Sequence, residues 1–330
     1  MSGNKSKVAV LDDWQGVARQ SADWSDLESR ADVTIFADAF RDEDDAAAQL
    51  ADFDIVLSMR ERTPLPGSLI NRLPKLRMMG MTGARNASLD TPACTARGIV
   101  VCNTQGGGYT DSATAELALG LLIAAARGIP KADDNMRHGR FQMDVPVGIG
   151  LAGKTMGIIG LGRLGGYMAK YCLALRMNVI AWSQNLTAER CKEIGATLVS
   201  KDELMRRSDA ISVHMVLSPR SRGLVGAEDI ALMKHGAILI NTSRGPLIDE
   251  AAMLAALQSG RIVAALDVYD KEPLPPDHPL RHSSNTVLVP HLGYGVKETW
   301  EGFYPQMIEN ALAFMNGAPV RVTNPEVLQK

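Results

Sequence analysis

Cysteine is scarce in this chain, and neither sign of charge dominates. The four cysteines, at positions 94, 102, 172 and 191 of 330 residues, lack the spacing of a metal site or a redox motif. This favours reduced, structural thiols in a reducing compartment and gives no indication of a metal. The 35 basic residues nearly balance the 37 acidic residues, for a formal net charge of −2. The composition therefore points away from a nucleic-acid partner and from a membrane surface.

Long apolar runs are also missing. No run approaches the roughly 20 apolar residues of a membrane helix, and residues 1–14 lack the long apolar stretch of a signal peptide. We therefore expect a cytoplasmic protein with no membrane partner. The 46% hydrophobic and 22% charged residues are typical of a globular protein, and 330 residues exceed the length at which a single core usually stops growing. Two domains are expected.

The first hundred residues alternate between short apolar runs and helical patterns. Helices are predicted at residues 42–51 and 65–73, and strands at 8–11, 33–36, 55–57, 76–81 and 99–102. Such alternation predicts a parallel sheet with right-handed crossover connections.

A second alternation begins near residue 153. It follows a loop at 105–109 with three glycines and a long Ala- and Leu-rich helix at 113–126, which suits a connection between domains. Strands are predicted at residues 155–159, 179–182, 210–213, 237–241, 262–265 and 286–289. These six strands equal the number in a full dinucleotide-binding sheet.

The sharpest motif is a glycine turn directly after the predicted strand at 155–159. Its sequence, Gly160-Leu-Gly162-Arg-Leu-Gly165, opens an apolar helix. The first glycine permits a tight turn, the second lets the backbone approach a pyrophosphate, and the third lets helix and strand pack closely. The free N–H groups of the helix N-terminus also favour an anion. We predict cofactor contacts from Gly160, Gly162, Arg163, Leu164 and Gly165.

The chain becomes helical again from residue 297 to about 316, and residues 320–322 are expected to return to the first domain. The predicted fold class is α/β, with two Rossmann-like parallel-sheet domains. A dinucleotide-binding domain at 105–296 is inserted into a discontinuous, flavodoxin-like substrate domain formed by residues 1–104 and 297–330.

The strand after the glycine turn ends without the acidic residue expected in an NAD site. Ser183, Gln184 and Asn185 stand where a carboxylate would bind the ribose 2′-hydroxyl. A carboxylate repels a 2′-phosphate, so its absence removes a barrier to NADP. The polar groups there, with Arg163 or Arg190, would suit that phosphate. We expect NAD(P) with a slight preference for NADP, and the alternative is a permissive site that accepts NAD through hydroxyl contacts.

Three polar segments each follow a predicted strand of the second domain. The first contains Arg244, the second contains Asp267 and Glu272, and the third contains His291. Ligands bind outside the carboxyl ends of the strands in open α/β sheets. An arginine, two acids and a histidine are therefore expected at the same edge as the glycine turn.

The order of these segments resembles the D-isomer-specific 2-hydroxyacid dehydrogenase family. The resemblance rests on the glycine turn, Asn-Thr-Ser-Arg-Gly, Leu-Asp-Val followed by Glu-Pro, and Pro-His-x-Gly, and it covers nearly the whole chain. Its relatives include glyoxylate/hydroxypyruvate reductases and phosphoglycerate dehydrogenases. The resemblance implies an NAD(P)-dependent enzyme acting on the CH–OH group of a small 2-hydroxy acid, mainly as a 2-keto acid reductase. Relatives that oxidise formate carry Gln at the position of Glu272, so the carboxylate here indicates 2-hydroxyacid chemistry.

The predicted catalytic residues are Arg244, Glu272 and His291. Arg244 suits the carboxylate of a 2-keto acid, because its guanidinium makes charge-assisted, often bidentate hydrogen bonds. His291 suits proton donation to the carbonyl oxygen and proton removal in the reverse direction. Glu272 beside it would favour the imidazolium and orient the ring. By the resemblance, Asp267 contacts the nicotinamide side.

The resemblance also implies further contacts. Arg60, Glu61 and Gly83 are expected to meet the substrate, together with Arg244 and His291. Residues 84–86 depart from the family pattern, which leaves the details of that wall open. The cofactor contacts expected beyond the glycine turn and residues 183–185 are Thr114, His214, Met215, Val216, Ser221, Thr242, Ser243, Arg244, Asp267, His291 and Gly293.

Several alternatives stay open. Tyr294, Trp300, Phe303 and Tyr304 either wall a substrate pocket or pack a helix or a dimer contact. A phosphoglycerate dehydrogenase is less favoured, because many carry a regulatory extension that is not evident here. A non-enzymatic NAD(H)-sensing corepressor of the same fold retains the Arg, Glu and His but typically adds flexible tails. We expect a homodimer, for which the helix at 113–126 and residues 127–141 would suit the contact.

Overall fold

A computed structural model describes residues 5–105 and 111–329 of the chain. The predicted glycine loop at 105–109 therefore lies mostly outside the described residues. The strands are β1 (Ser6–Val10), β2 (Ala31–Ile35), β3 (Ile55–Ser58), β4 (Met78–Met81), β5 (Val100–Asn103), β6 (Thr155–Ile159), β7 (Asn178–Trp182), β8 (Thr197–Leu198), β9 (Ala210–Val213), β10 (Ala237–Asn241), β11 (Ile262–Leu266) and β12 (Thr286–Leu288). The α-helices are α1 (Ala18–Ser21), α2 (Ser25–Arg30), α3 (Glu43–Leu50), α4 (Gly67–Ile70), α5 (Thr91–Ala96), α6 (Ala113–Arg127), α7 (Ile129–Arg137), α8 (Arg163–Ala174), α9 (Ala188–Ile194), α10 (Lys201–Arg207), α11 (Ala227–Leu232), α12 (Glu250–Gln258) and α13 (Lys297–Met315).

The chain divides into two compact units. Unit 1 comprises Met1–Thr110 and Val296–Lys330, and unit 2 comprises Asp111–Gly295. Among the described residues, each unit is built around one parallel sheet, with five strands in unit 1 and seven in unit 2. The predicted α/β fold class with two parallel-sheet domains is confirmed.

The sheet of unit 1 has the order β2-β1-β3-β4-β5. This is the flavodoxin-like order, and all of its strand pairs are parallel. Strands β3 and β4 are buried along their whole length, as expected for a parallel sheet covered on both faces. Near the end of the chain, Val322 forms an antiparallel bridge with Cys102 of β5.

One helix of unit 1 is much shorter than predicted. Residues 65–73 were expected to be helical, but α4 spans only Gly67–Ile70. Pro66 is the residue before α4 and Pro74 follows soon after it. A proline disfavours helical backbone in the residue that precedes it, which restricts the helix from both ends.

The sheet of unit 2 has the order β12-β11-β10-β9-β6-β7-β8. Its pairs are all parallel, and β6, which precedes the glycine turn, lies inside the sheet. The sequence predicts six of these strands but not β8, because a strand of two exposed residues has no apolar run to mark it. Alternate residues of the central strands enter two separate cores, so that Ile158 packs on one face of the sheet and Ile159 on the other.

Helix α6 belongs to the core of unit 2 and packs against α8, β10 and β11. It ends at Gly128, whose φ of 62° lies in the left-handed region, and α7 begins directly after it. Within the described part of the chain, no single helix is long and apolar enough to cross a membrane. Only α6 and α7 taken together pass that test, as a pair bent by 68°.

Candidate active site

Six segments leave the sheet of unit 2 at the same level. The register aligns Trp182 with Ile159, Ile159 with Val213, and Val213 with Asn241. It then aligns Asn241 with Leu266, and Leu266 with Leu288. Because all strands are parallel, the polar residues that follow these positions share the carboxyl edge of the sheet. The predicted cofactor and catalytic segments of unit 2 therefore share one edge.

The glycine turn has the shape that a phosphate group requires. Gly160 has a φ of 95°, and a Cβ built on it would lie 2.4 Å from the carbonyl oxygen of His214. A Cβ on Gly165 would lie 2.0 Å from the carbonyl oxygen of Gly160, so only glycine allows this approach of helix and strand. By contrast, a Cβ on Gly162 would meet no described atom within 4 Å. The turn is closed on its protein side and open at its middle glycine, which fits a dinucleotide pyrophosphate.

The segment after β7 is polar and carries no acid. Ser183 is partly buried, whereas Gln184 and Asn185 are exposed. Arg190 lies in α9 and pairs with Glu193 at 2.9 Å, and Arg163 pairs with Asp111. Both of these ion pairs are exposed to solvent, and exposed pairs are weak, so a phosphate can compete for either arginine.

His214 follows β9 and is a structural residue of the turn. Its backbone N–H donates to the carbonyl of Ile159 at 2.8 Å, and its Nε2 lies 2.8 Å from the Ser212 hydroxyl. Burial lowers the pKa of His214 to about 4, so the ring is neutral near pH 7. This makes His214 unsuitable as the proton donor. Of the other predicted contacts here, Met215 is partly buried, Val216 is exposed, and Ser221 donates to the carbonyl of Val216 at 2.7 Å.

Hydrogen bonds to backbone groups stabilise the loop after β10, which carries Arg244. Asn241 accepts from the N–H of Ser243 at 3.0 Å and donates to the carbonyl of Arg244 at 2.8 Å. The Ser243 hydroxyl donates to the carbonyl of Val213 at 2.8 Å, which ties the loop to β9. Thr242 is buried, and its hydroxyl has no hydrogen-bond partner among the described residues. The partly buried Arg244 thus lies on a loop that is held by these hydrogen bonds.

Glu272 and His291 form a close pair. A carboxylate oxygen, Oε2, lies 2.5 Å from Nδ1 of His291, and the other, Oε1, accepts from the backbone N–H of Tyr269 at 2.9 Å. Their side chains are 22% and 15% exposed, so water screens the pair only in part. Because Nδ1 faces Glu272, Nε2 is the ring nitrogen on the far side from the carboxylate. This arrangement suits proton transfer at Nε2.

Asp267 fixes the turn that carries His291. Its carboxylate accepts from the N–H groups of Leu292 and Gly293 at 2.5 and 2.9 Å, and its carbonyl accepts from the N–H of His291 at 2.9 Å. His291 has a φ of 54°, a backbone conformation that residues other than glycine rarely adopt. The hydrogen bonds to Asp267 stabilise this conformation. Asp267 is fully buried, and burial raises its pKa to about 6.

Thr114 belongs to the same neighbourhood. A Cβ built on Gly293 would lie 3.0 Å from the Asp267 carboxylate and 3.1 Å from the Thr114 methyl group. The structure therefore brings together Thr114, Asp267 and Gly293, three residues that were predicted as cofactor contacts. A glycine at position 293 keeps the space between them open.

The substrate contacts predicted in unit 1 also cluster. The N–H of Arg60 donates to the Thr82 hydroxyl at 2.7 Å, and a Cβ on Gly83 would lie 2.0 Å from a guanidinium nitrogen of Arg60. Glu61 Oε2 lies 3.8 Å from Nε of Arg60. Arg60 has a φ of 51°, and its carbonyl accepts from the Asn86 amide at 2.5 Å. The structure thus joins Arg60, Glu61 and Gly83 within one unit.

A buried polar cluster in unit 1 was missed. Arg62 donates to the carbonyl of Asp12 at 2.8 Å and stacks 4.6 Å from the centre of the Trp14 ring. Thr63 donates to the Asp12 carboxylate at 2.8 Å, and burial raises the pKa of Asp12 to about 6. The sequence carries a signal for this cluster. Asp12, Asp13 and Trp14 come directly after the first strand, and Arg60 and Arg62 come after the third strand.

Of the four aromatic residues whose role the sequence leaves open, the three on α13 pack inside unit 1. Trp300, Phe303 and Tyr304 are buried, and Tyr304 lies 6.2 Å from Trp300 and 5.9 Å from Trp24, measured between ring centres. Tyr294 belongs to unit 2, where its ring lies 5.7 Å from that of His291, edge to face. The described residues contain no group of three or more side chains suited to a metal ion.

Comparison with known proteins identifies the family of this chain. A family model for the NAD-binding domain of D-isomer specific 2-hydroxyacid dehydrogenases matches residues 119–293. A hydroxypyruvate reductase of Blautia hydrogenotrophica is 32% identical over 96% of this chain and 99% of its own. A D-3-phosphoglycerate dehydrogenase of Archaeoglobus fulgidus is 40% identical over 80% of this chain but only 50% of its own, so the chain spans about half the length of that relative.

A solved structure covers almost all of the fold. The phosphoglycerate oxidoreductase of Vibrio cholerae superimposes with a TM-score of 0.89, at 32% identity, over 95% of this chain and 100% of its own. The match to the family model, residues 119–293, includes the glycine turn, the arginine loop, Glu272 and His291. The chain belongs to the D-isomer specific 2-hydroxyacid dehydrogenase family.

Proposed function

We propose that the protein is an NAD(P)-dependent oxidoreductase that interconverts a small 2-keto acid and the corresponding 2-hydroxy acid, working mainly as a reductase. The observation that supports this most directly is the Glu272–His291 pair, with 2.5 Å between Oε2 and Nδ1, on the sheet edge that also carries Arg244 and the glycine turn. The relatives named above bear the names of dehydrogenases and reductases, which favours an enzyme over a corepressor.

Each residue of the edge has a distinct task. Arg244 binds the carboxylate of the keto acid through charge-assisted hydrogen bonds and polarises the neighbouring carbonyl. His291 donates the proton on Nε2 to the carbonyl oxygen as the 2-hydroxy acid forms, and takes it back in the reverse direction. Glu272 keeps the ring oriented through Nδ1 and offsets the positive charge of the imidazolium. A nicotinamide nucleotide supplies the hydride when it is bound.

The nucleotide is proposed to lie along the same edge. The glycine turn holds its pyrophosphate, and Asp267, Thr114 and Gly293 surround its nicotinamide end. Thr242 is a further candidate, because its buried hydroxyl has no partner among the described residues. The remaining predicted cofactor contacts lie in the segments after β7, β9, β10 and β12.

We propose a slight preference for NADP over NAD. No carboxylate directly follows β7, so a 2′-phosphate meets no like charge from Ser183, Gln184 or Asn185. A Ser183→Asp variant is expected to move the preference towards NADH, because it places a carboxylate where the 2′-hydroxyl of NAD would bind.

Arg60, Glu61 and Gly83 are proposed as further substrate contacts, in which Arg60 adds a positive charge. The support is that these residues lie together, with the Arg60 guanidinium against Gly83 and Nε of Arg60 3.8 Å from Oε2 of Glu61. Reduction of glyoxylate and hydroxypyruvate is proposed first, and 3-phosphohydroxypyruvate is the alternative substrate.

A homodimer is proposed through the segment that follows α6. Among the described residues, six of the nine exposed large hydrophobic side chains lie between 129 and 149: Ile129, Met136, Phe141, Met143, Val147 and Ile149. Exposed apolar patches of this kind mark protein interfaces. A cytoplasmic location is also proposed, supported by four buried cysteines that are free of disulfides, and cell fractionation would test it.

The test of function is the loss of nicotinamide absorbance with a panel of 2-keto acids, run in parallel with NADPH and NADH. Wild type is compared with His291→Ala. Turnover by wild type that disappears in the variant is the expected result, and the faster nucleotide identifies the cofactor. Protein that binds the nucleotide but reduces no keto acid with either nucleotide would contradict the proposed activity.

A further inference from the structure

Tyr269 lies where the three catalytic segments of unit 2 meet. It follows β11, between Asp267 and Glu272 in the chain, and is 8% exposed. Two of the segments are bonded to it and the third packs against its backbone. None of these contacts follows from the sequence motifs, in which position 269 is only the residue after Asp-Val.

The backbone of Tyr269 holds the carboxylate. Its N–H donates to Oε1 of Glu272 at 2.9 Å, which leaves Oε2 directed at Nδ1 of His291 at 2.5 Å. A carboxylate fixed at one oxygen presents the other in a defined direction, so the position of Tyr269 determines where Glu272 meets the histidine.

The side chain of Tyr269 holds the turn that carries the histidine. Its hydroxyl donates to the carbonyl of Val289 at 2.9 Å, and the same carbonyl also accepts from the N–H of His291 at 3.2 Å. The hydroxyl lies 3.4 Å from the carbonyl of Leu266, which accepts from the N–H of Val289 at 2.9 Å. Burial raises the pKa of Tyr269 far above its ordinary value, so the hydroxyl keeps its proton and donates throughout the working pH range.

The third contact reaches the arginine loop. Gly245, directly after Arg244, packs so closely that a Cβ there would lie 2.1 Å from the carbonyl carbon of Tyr269. The loop that carries Arg244 therefore rests on the backbone of Tyr269. Tyr269 therefore contacts both the arginine loop and the segments of the Glu272–His291 pair.

We propose that Tyr269 is a positioning residue for the proposed reaction, whose hydroxyl holds the Val289–His291 turn so that His291 keeps its short contact with Glu272. It touches neither substrate nor cofactor in this role. The inference rests on the proposed function for its kinetic consequences, but its geometric claim can be measured without turnover.

The test uses the full chain with Tyr269→Phe, which keeps the ring and removes only the hydroxyl. Tyr171→Phe on α8 is the matched control, since its hydroxyl belongs to none of the catalytic segments. Proton NMR observes the strongly deshielded Nδ1–H of His291, assigned by its disappearance in His291→Ala. We expect this resonance to move upfield or broaden in Tyr269→Phe and to stay in place in Tyr171→Phe, because the Nδ1–Oε2 distance lengthens once the turn is released.

Kinetics supply the second readout. We expect kcat for keto acid reduction to fall about tenfold in Tyr269→Phe, with the alkaline limb of its pH profile shifted to lower pH and nucleotide binding changed by less than about twofold. A resonance and pH profile identical to wild type would overturn the proposal, even if the melting temperature fell. Wild-type protein that shows the Tyr269-dependent resonance but reduces no keto acid would support the positioning role and contradict the proposed activity.

Discussion

Arg244 is the residue on which recognition of an anionic substrate is expected to depend most. Replacement by lysine retains the charge but removes the planar fork that binds a carboxylate at two points. We predict that Arg244→Lys lowers kcat/KM for the preferred keto acid by about 100-fold, mainly through KM.

Steady-state kinetics with Arg206→Lys as control would check this. Arg206 is an exposed residue on α10 of the same unit, so its replacement is expected to leave kcat/KM as in wild type. Equal values for Arg244→Lys and wild type would show that another group binds the carboxylate.

Asp12 illustrates how burial makes the stability of unit 1 depend on pH. Its pKa rises from 3.8 to about 6 through burial, so the folded state holds a proton that the unfolded state releases. The stability that this gives is complete below about pH 4 and is lost as pH rises through about 6. We predict that Asp12→Asn, which cannot ionise, gains about 2–3 kcal/mol relative to wild type between pH 4 and pH 8.

Urea unfolding at several pH values measures this difference. The exposed Asp38→Asn serves as a control that is expected to follow wild type throughout. A constant difference between Asp12→Asn and wild type across the same range would mean that Asp12 ionises normally in the folded protein.

At the scale of elements, the glycine turn between β6 and α8 offers a matched pair of substitutions. A Cβ at Gly165 would lie 2.0 Å from the carbonyl oxygen of Gly160, whereas a Cβ at Gly162 would meet nothing described within 4 Å. We predict that Gly165→Ala costs about 1–3 kcal/mol of stability by overpacking. Gly162→Ala is expected to keep the melting temperature and to weaken nucleotide binding, because its methyl group occupies the space proposed for the pyrophosphate.

Thermal unfolding and a nucleotide titration separate the two effects. If Gly162→Ala bound NADPH and NADH as tightly as wild type does, the pyrophosphate would not lie on this turn. If Gly165→Ala were as stable as wild type, the backbone would have more freedom to shift there than the close packing implies.

Helix ends show how local signals define elements without tertiary information. Asp42 caps α3 by accepting from the N–H of Asp45 at 2.8 Å, and Ser200 with Glu203 forms a capping box at the start of α10. Such signals depend on neighbours in the chain, so they are readable in advance. Strand β8 has no such signal, and pairing with β7 alone makes it a strand.

At the scale of the whole molecule, the exposed apolar segment after α6 is the surface where we expect a protein interface. Phe141 is 68% and Val147 98% exposed, although the segment is ordered internally by the buried Asn135, which donates to the carbonyls of Phe141 and Met143. We predict that Phe141→Glu with Val147→Glu converts a dimer into a monomer, because burying two carboxylates in an apolar interface is strongly unfavourable.

Light scattering after size exclusion measures the mass directly. Leu328→Glu changes an exposed leucine outside the segment and is expected to retain the wild-type mass. A wild-type monomer, or a dimer that survives the double substitution, would exclude this segment as the interface.

The sequence alone determined the fold class, the five strands of unit 1 and the family. These depend on short-range patterns: apolar runs make buried parallel strands, and the glycine turn, Arg244, Glu272 and His291 each directly follow a strand or lie within a few residues of one. The expectation that the polar segments of unit 2 share one edge follows from parallel strands, and the register from Trp182 to Leu288 places them there.

Only the tertiary structure decided which side chains touch. The bond from the Tyr269 hydroxyl to Val289, the packing of Gly245 on Tyr269, and the stacking of Arg62 on Trp14 join residues whose separation in the chain carries no signal. The same holds for the short helix α4, for strand β8 and for the aromatic side chains of α13, which pack inside unit 1. Contacts of this kind depend on where distant segments are brought by the sheet, since packing in a dense core is set by shape and distance rather than by position along the chain.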